Sequence, residues 1–319
     1  MKKFIITIDT EGDNLWEWKQ GDKITTENVK FLPRFQALCN DFGFKPVWLT
    51  NYEVMRDSRY LEFIAKVEQE KIGELGMHLH AWSTPPDYDL DMVQNGAPYL
   101  IEYPDDVMEE KIAVMTNLIK SNAGVNPISH RAGRWAMDER YFKLLIKYGY
   151  KVDCSITPHV DWSSSVGASK DSKGSNYKNH PENPYWVKNN DGKILEVPVS
   201  IRKTHKAMFD GGMSIRGTLK GIYHAIKGNT IWLRPNGRNI SSMTKLVDMI
   251  EKSNVDYIMF MLHSSELMPG GSPTFKTKDD IENLYVSIKE IFQYCSSFFE
   301  GITLRDYYSK IQNQISEAK

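Results

Sequence analysis

Cysteine is scarce in this chain of 319 residues: Cys39, Cys154 and Cys295 are the three present, far apart and with no CxxC pair. That excludes a disulfide framework and a cysteine-built zinc module, and it leaves buried thiols in a reducing compartment as the expectation. An excess of charge is missing too. Forty Lys and Arg stand against 41 Asp and Glu, a net charge of −1 with histidine neutral, so no nucleic-acid groove and no face for an anionic membrane is expected. No apolar run nears the ~18 residues of a membrane span. The opening MKKFIITIDTEGD is interrupted at Thr7 and ends its apolar run at Asp9, too short for an export signal and without a small-residue cleavage site. Internal repeats and low-complexity linkers are also lacking. The expectation is a cytoplasmic protein with no membrane span. At 41% hydrophobic and 25% charged residues the chain has ample material for a core, and aromatics reach 12%, with eight Trp.

Short apolar runs alternate with longer helical patterns, the signature of βα units around a parallel sheet. The expected strands are 4–9, 45–50, 73–80, 126–131, 151–155, 194–200 and 256–263. Val29, Leu32, Phe35, Leu38, Cys39 and Phe42 recur at three- and four-residue steps before Gly43, a helix with its C-cap. Further helices are expected at 105–121, 138–148, 241–253 and 279–299, then a short strand at 301–304 and a terminal helix. The stretch 162–193 is rich in Ser, Asn, Lys, Gly and Pro without apolar period and reads as a long loop excursion. The fold expected is a single-domain, distorted (β/α) barrel of about seven parallel strands.

In such barrels the active site lies at the carboxyl ends of the strands. The first strand ends in Asp9-Thr10-Glu11-Gly12-Asp13, the third in His78-Leu79-His80, the fourth in His130-Arg131 and the seventh in His263, while the fifth holds Asp153. Asp9, Glu11 and Asp13 are spaced by two, so in an extended segment they share a face, as a ligand set or as an acidic turn around Gly12. If Thr7 and Asp9 point inward, Ile6 and Ile8 face the helices. His78 and His80 also share a face, and two imidazoles so placed can bind one Zn²⁺. Arg131 beside buried carboxylates would hold one of them ionised. Asp153 sits in an otherwise apolar strand, where an acid needs a partner. His263 ends the most apolar strand, precedes Ser-Ser-Glu, and is poised for proton transfer if a carboxylate tunes it. Trp16, Trp18, Trp82 and Trp135 follow strand ends at the same rim and offer flat faces to a sugar ring, or else are buried. His130, His159, His180, His205 and His224 read as structural or surface residues.

Taken in order, Ile-Asp-Thr-Glu-Gly-Asp, Gly-Met-His-Leu-His, His-Arg-Ala-Gly-Arg-Trp, Asp-Cys-Ser and Met-Leu-His resemble the five motifs of the polysaccharide deacetylases, the NodB-homology domains of carbohydrate esterase family 4. The resemblance spans residues 4 to about 265. It implies a metal-dependent hydrolase of C–N amide bonds that takes an acetyl group from an N-acetylated sugar. A divalent ion, usually zinc, would be held by Glu11, with Asp13 as the alternative carboxylate, and by His78 and His80. Asp9 would be the catalytic base, Arg131 its orienter, His263 the general acid and Asp153 the group that tunes it. The chain departs from the family pattern in three places: Thr10 separates the acids of the first motif, the histidines stand two rather than four residues apart, and Arg131-Ala132-Gly133 replaces Arg-x-Pro. The expected substrate is a cytoplasmic, nucleotide- or lipid-linked sugar in surface glycan biosynthesis. The altered histidine spacing keeps a metal-independent amidohydrolase acting on a cyclic amide or ureide as an alternative, and a silent glycan-binding protein on the same scaffold is another.

Overall fold

The structure, a computed structural model, describes residues 1–19, 21–204 and 229–317; His205 and His224 lie outside the described residues. Seven parallel strands form the expected curled sheet. They are β1 (Lys2–Thr10), β2 (Pro46–Thr50), β3 (Glu74–Leu79), β4 (Ser129–Ala132), β5 (Val152–Asp153), β7 (Gly192–Glu196) and β10 (Tyr257–His263). Their order is β10-β1-β2-β3-β4-β5-β7, with β6 (Tyr185–Asn189) antiparallel at the far end. Among the described residues the sheet does not close, so it is a half-barrel. A short strand, β11 (Phe299–Gly301), adds to the start of β1, and β8 (Ile201–Thr204) and β9 (Asn229–Trp232) form a separate antiparallel ribbon.

The helices cover the outer face: α1 (Leu32–Asp41), α2 (Ser58–Gln69), α3 (Asp105–Ala123), α4 (Glu139–Lys147), α5 (Ile240–Glu251), α6 (Lys278–Ser296) and α7 (Leu304–Glu317). Among the described residues no helix is long and apolar enough to cross a membrane. β1 and β10 are covered on both faces, which explains their near-continuous apolar runs. Phe4, Ile6 and Ile8 lie level with Ile258, Phe260 and Leu262, and Phe4 and Phe260 pack with Phe35 of α1 and Phe292 of α6, ring centroids 5.3–6.5 Å apart. The opposite parity, Thr7 and Asp9, faces inward, as the alternation requires.

Four parts of the fold differ from expectation. The 162–193 stretch is not a structureless excursion: Tyr185–Asn189 pairs with β7 as an edge strand, its side chains half-buried to exposed, so it lacks the apolar rhythm of the central strands. The rest of that stretch is pinned by bridges from Asp161 to Asn176 and from Val166 to Lys173, with Ala168 and Tyr177 buried. α2 and the β8–β9 ribbon were not expected. The last strand begins at Phe299, two residues before the expected start.

Candidate active site

In-register parallel strands put residues of one parity on one face, and β1 and β10 set Asp9 level with His263. Arg131 reaches Asp9 from β4. Its Nη1 donates to Asp9 Oδ1 at 2.6 Å, Nη2 to Thr7 Oγ1 at 2.9 Å and Nε to the Cys154 carbonyl at 3.1 Å. Burial alone would push the Asp9 carboxyl up; Arg131, then His78 and His263, outweigh it and hold it below the usual carboxylate range.

His78 and His80, at the end of β3, converge on Glu11 from the loop after β1. Glu11 Oε2 lies 3.4 Å from His78 Nε2 and 3.1 Å from His80 Nε2, all three residues being buried. His78 Nδ1 donates to the Arg131 carbonyl at 2.9 Å, so Nε2 is the ring nitrogen turned to Glu11. Burial opposes the charge on Glu11, but His263, His78 and His80 hold its carboxyl well below the usual range. Burial likewise lowers His80, whereas on His78 the burial penalty is outweighed by Asp9 and Glu11, which raise it. The residues fit a divalent ion. Two imidazole nitrogens and a carboxylate oxygen are a familiar zinc donor set, and donors about 2.0–2.2 Å from a tetrahedral ion stand roughly 3.4 Å apart, close to the separations here. Asp13 is placed elsewhere: it accepts from Thr25 Oγ1 and, at 3.1 Å, from the Asn28 N–H, and so folds the loop after β1.

The structure does not bring Asp153 to His263. Asp153 lies level with His130 of β4 and Glu196 of β7, on the parity that faces α4. His130 Nδ1 donates to Asp153 Oδ1 at 2.6 Å, and His130 Nε2 meets the Tyr141 hydroxyl at 2.8 Å. Ser155 adds its hydroxyl at 2.8 Å and its N–H at 3.1 Å. His130 is therefore structural, as expected, and Asp153 belongs with it. The carboxylate beside His263 is Glu266, 3.1 Å from His263 Nδ1, with Arg234 Nη2 3.1 Å from its other oxygen. His263 Nε2 points to Asp9 Oδ2 at 3.7 Å. Of the other histidines, His159 pairs with Glu182 at 2.5 Å, and His180 is exposed.

These groups open into a cleft of about 440 Å³. Trp16, Trp18, Trp82 and Trp135 all line it. Trp16 is 41% exposed, edge-on to His263, and donates from Nε1 to Ser265 Oγ at 3.0 Å. Trp82 stacks on His80 at 4.3 Å and Trp18 leans on Trp82 at 5.8 Å. Trp135 is mostly buried under the Arg131 guanidinium, 5.0 Å from its ring centroid. Arg134 and Trp135 both have positive φ, 53° and 64°, a strained pair of the kind that gathers at functional sites.

The sequence reading missed the opposite wall, Asn95–Ala97. A Cβ on Gly96 would sit 2.1 Å from the Val166 carbonyl oxygen, so only glycine lets this strap lie against the 166–168 segment. The Gly96 N–H donates to Gly167 O at 3.2 Å, and Arg134 donates to both the Ala97 and Val166 carbonyls. The Arg in His-Arg-Ala-Gly-Arg-Trp was the visible signal for this clamp; nothing in 93–97 announced it.

No protein-family model and no curated protein sequence matches the chain. Solved structures do resemble it. A candidate glycoside hydrolase/deacetylase from Parabacteroides distasonis is 12% identical, with a TM-score of 0.59 over 98% of this chain and 72% of that one. A candidate polysaccharide deacetylase from Mycobacterium smegmatis is 14% identical, with a TM-score of 0.56 over 98% of this chain and 92% of that one. A 4-α-glucanotransferase from Thermococcus litoralis matches 97% of this chain but 38% of its own length, at 12% identity and a TM-score of 0.50. The likeness is one of architecture, and the chain has the mostly parallel α/β half-barrel of the NodB type that its motifs imply.

Proposed function

We propose that the chain is a single catalytic domain that hydrolyses the acetamide of an N-acetylated sugar with the help of a divalent metal. The observation that carries this reading is the convergence, in one tryptophan-walled cleft, of the Glu11–His78–His80 cluster with Asp9 and His263. An ion held by Glu11, His78 and His80, zinc suiting the set best, would supply a lowered water pKa and polarisation of the carbonyl oxygen. Asp9, kept ionised by Arg131, takes a proton from the attacking water as the carbon–oxygen bond forms. His263 gives a proton from Nε2 to the nitrogen as the carbon–nitrogen bond breaks, so acetate and a free amine leave. Each such proton transfer is worth about 10²–10⁴-fold. Trp16, Trp18 and Trp82 give the sugar its stacking faces, and Trp135, mostly buried against Arg131, backs the cleft behind them. Three free, buried cysteines suit a reducing compartment, hence a cytoplasmic nucleotide- or lipid-linked sugar on the way to a surface glycan.

The test is metal content by plasma mass spectrometry on protein purified without chelator. About one zinc-like ion per chain is expected, absent from His78→Ala, with chelator stopping acetate release from N,N′-diacetylchitobiose. A metal-free protein with chelator-insensitive amide hydrolysis would instead support the metal-independent amidohydrolase. Sugar binding without hydrolysis would support the silent binder.

A further inference from the structure

We propose that Glu266 and Arg234 form the positioning pair for His263, the role that the family resemblance gives to Asp153; the proposal rests on the reading of His263 as proton donor. Among the described residues, two side-chain groups lie against His263 Nδ1, Glu266 Oε2 at 3.1 Å and Arg234 Nη2 at 3.0 Å. One accepts and the other donates, so they compete for Nδ1, and the winner sets the tautomer. Glu266 Oε2 also takes the His263 backbone N–H at 2.9 Å, while its Oε1 takes Arg234 Nη2 at 3.1 Å. The carboxylate is thus fixed from both sides and is buried. With Glu266 ionised, an Nδ1 lone pair would face a carboxylate lone pair at 3.1 Å. The form with the hydrogen on Nδ1 removes that clash by donating to Oε2 while Arg234 Nη2 gives its hydrogen to Glu266 Oε1, and it leaves Nε2 toward Asp9 and the cleft, where the catalytic proton is carried. The edge of the Trp16 ring, 5.0 Å from the imidazole, closes the open side. Besides Glu266 and Arg234, the charged groups that act on His263 among the described residues are Asp9, 3.7 Å from Nε2 and so unable to set Nδ1, and Glu11 in the loop after β1.

Long-range ¹H–¹⁵N spectra of histidine-labelled protein read the tautomer directly and need no substrate. Neutral His263 should carry its hydrogen on Nδ1 in the wild type. In Glu266→Ala, Arg234 is freed to donate to Nδ1 and the hydrogen should move to Nε2; Glu266→Asp should restore the original form. Turnover of N,N′-diacetylchitobiose should fall about tenfold or more in Glu266→Ala, with KM within about twofold, because the pair touches the acid and not the sugar. An Nε2–H tautomer in the wild type overturns the proposal without any variant, even if Glu266→Ala does not fold. An unchanged tautomer with unchanged kcat in Glu266→Ala overturns it as well. Failure of the wild type to release acetate is separate: it counts against the deacetylase reading, and the spectra still decide the pairing.

Discussion

Replacing Asp9 with asparagine should lower turnover of an N-acetylated sugar by about 10²–10⁴-fold and, independently, destabilise the metal-free protein by about 3–5 kcal/mol. The two effects have different origins. In the proposed mechanism the first is loss of the base that takes the water's proton. The second arises because the Arg131 guanidinium is fully buried and directed at Asp9 Oδ1 at 2.6 Å; an amide can still accept that bond but cannot balance the charge. Sugar binding, measured by calorimetry well below the melting temperature, should survive, since stacking surfaces and ion ligands are untouched. A variant that is destabilised yet turns over at the wild-type rate would leave Asp9 as a structural counter-ion and remove it from the chemistry. Loss of sugar binding together with turnover would place Asp9 in recognition instead.

The residues of the cleft were legible because strand ends mark the rim. Asp9, His78, Arg131 and His263 all sit at or beside the last residue of a parallel strand, and the i, i+2 spacing of His78 and His80 could mean nothing but a shared face. The parity of Asp153 was not legible. Val-Asp-Cys-Ser-Ile is apolar on both sides of the acid, so the strand does not say whether Asp153 or Cys154 faces the barrel interior, and a shift of one residue exchanges the faces. The answer lay one strand away. Arg131 needs the inner face to reach Asp9, so His130 must face outward, and Asp153 in register with His130 follows it. The true neighbour of His263 was visible as the Glu three residues on, but a three-residue step becomes a contact only once the chain turns into the short helix 264–267. The Asn95–Ala97 wall depends on a backbone-to-backbone fit with residues 70 positions away, and such contacts leave no local pattern.

If Asp153 is a structural acid, removing it should cost stability and leave His263 alone. Asp153→Ala strips the acceptor from His130 Nδ1 and from both Ser155 donors in a fully buried place, which should destabilise the fold by about 3–5 kcal/mol while the His263 spectra stay unchanged. Its neighbour Glu196 predicts the opposite behaviour. Burial, then the charge of Asp153, pushes the Glu196 carboxyl well above its usual range, while Asp153, despite burial, is held low by His130 and Glu196; the pair keeps one proton, on Glu196. An acid raised on folding gives stability that is complete below its unfolded pKa and is lost as pH rises through the folded one. Glu196→Gln cannot ionise, yet it retains an acceptor for the Ile156 N–H and a donor for Asp153. Its melting temperature should match the wild type near pH ~4 and rise above it progressively toward pH ~8. Parallel curves would mean that Glu196 does not hold the proton. A glutamine variant less stable at every pH would place that proton on Asp153, and the hydrogen bond from His130 would then need another account.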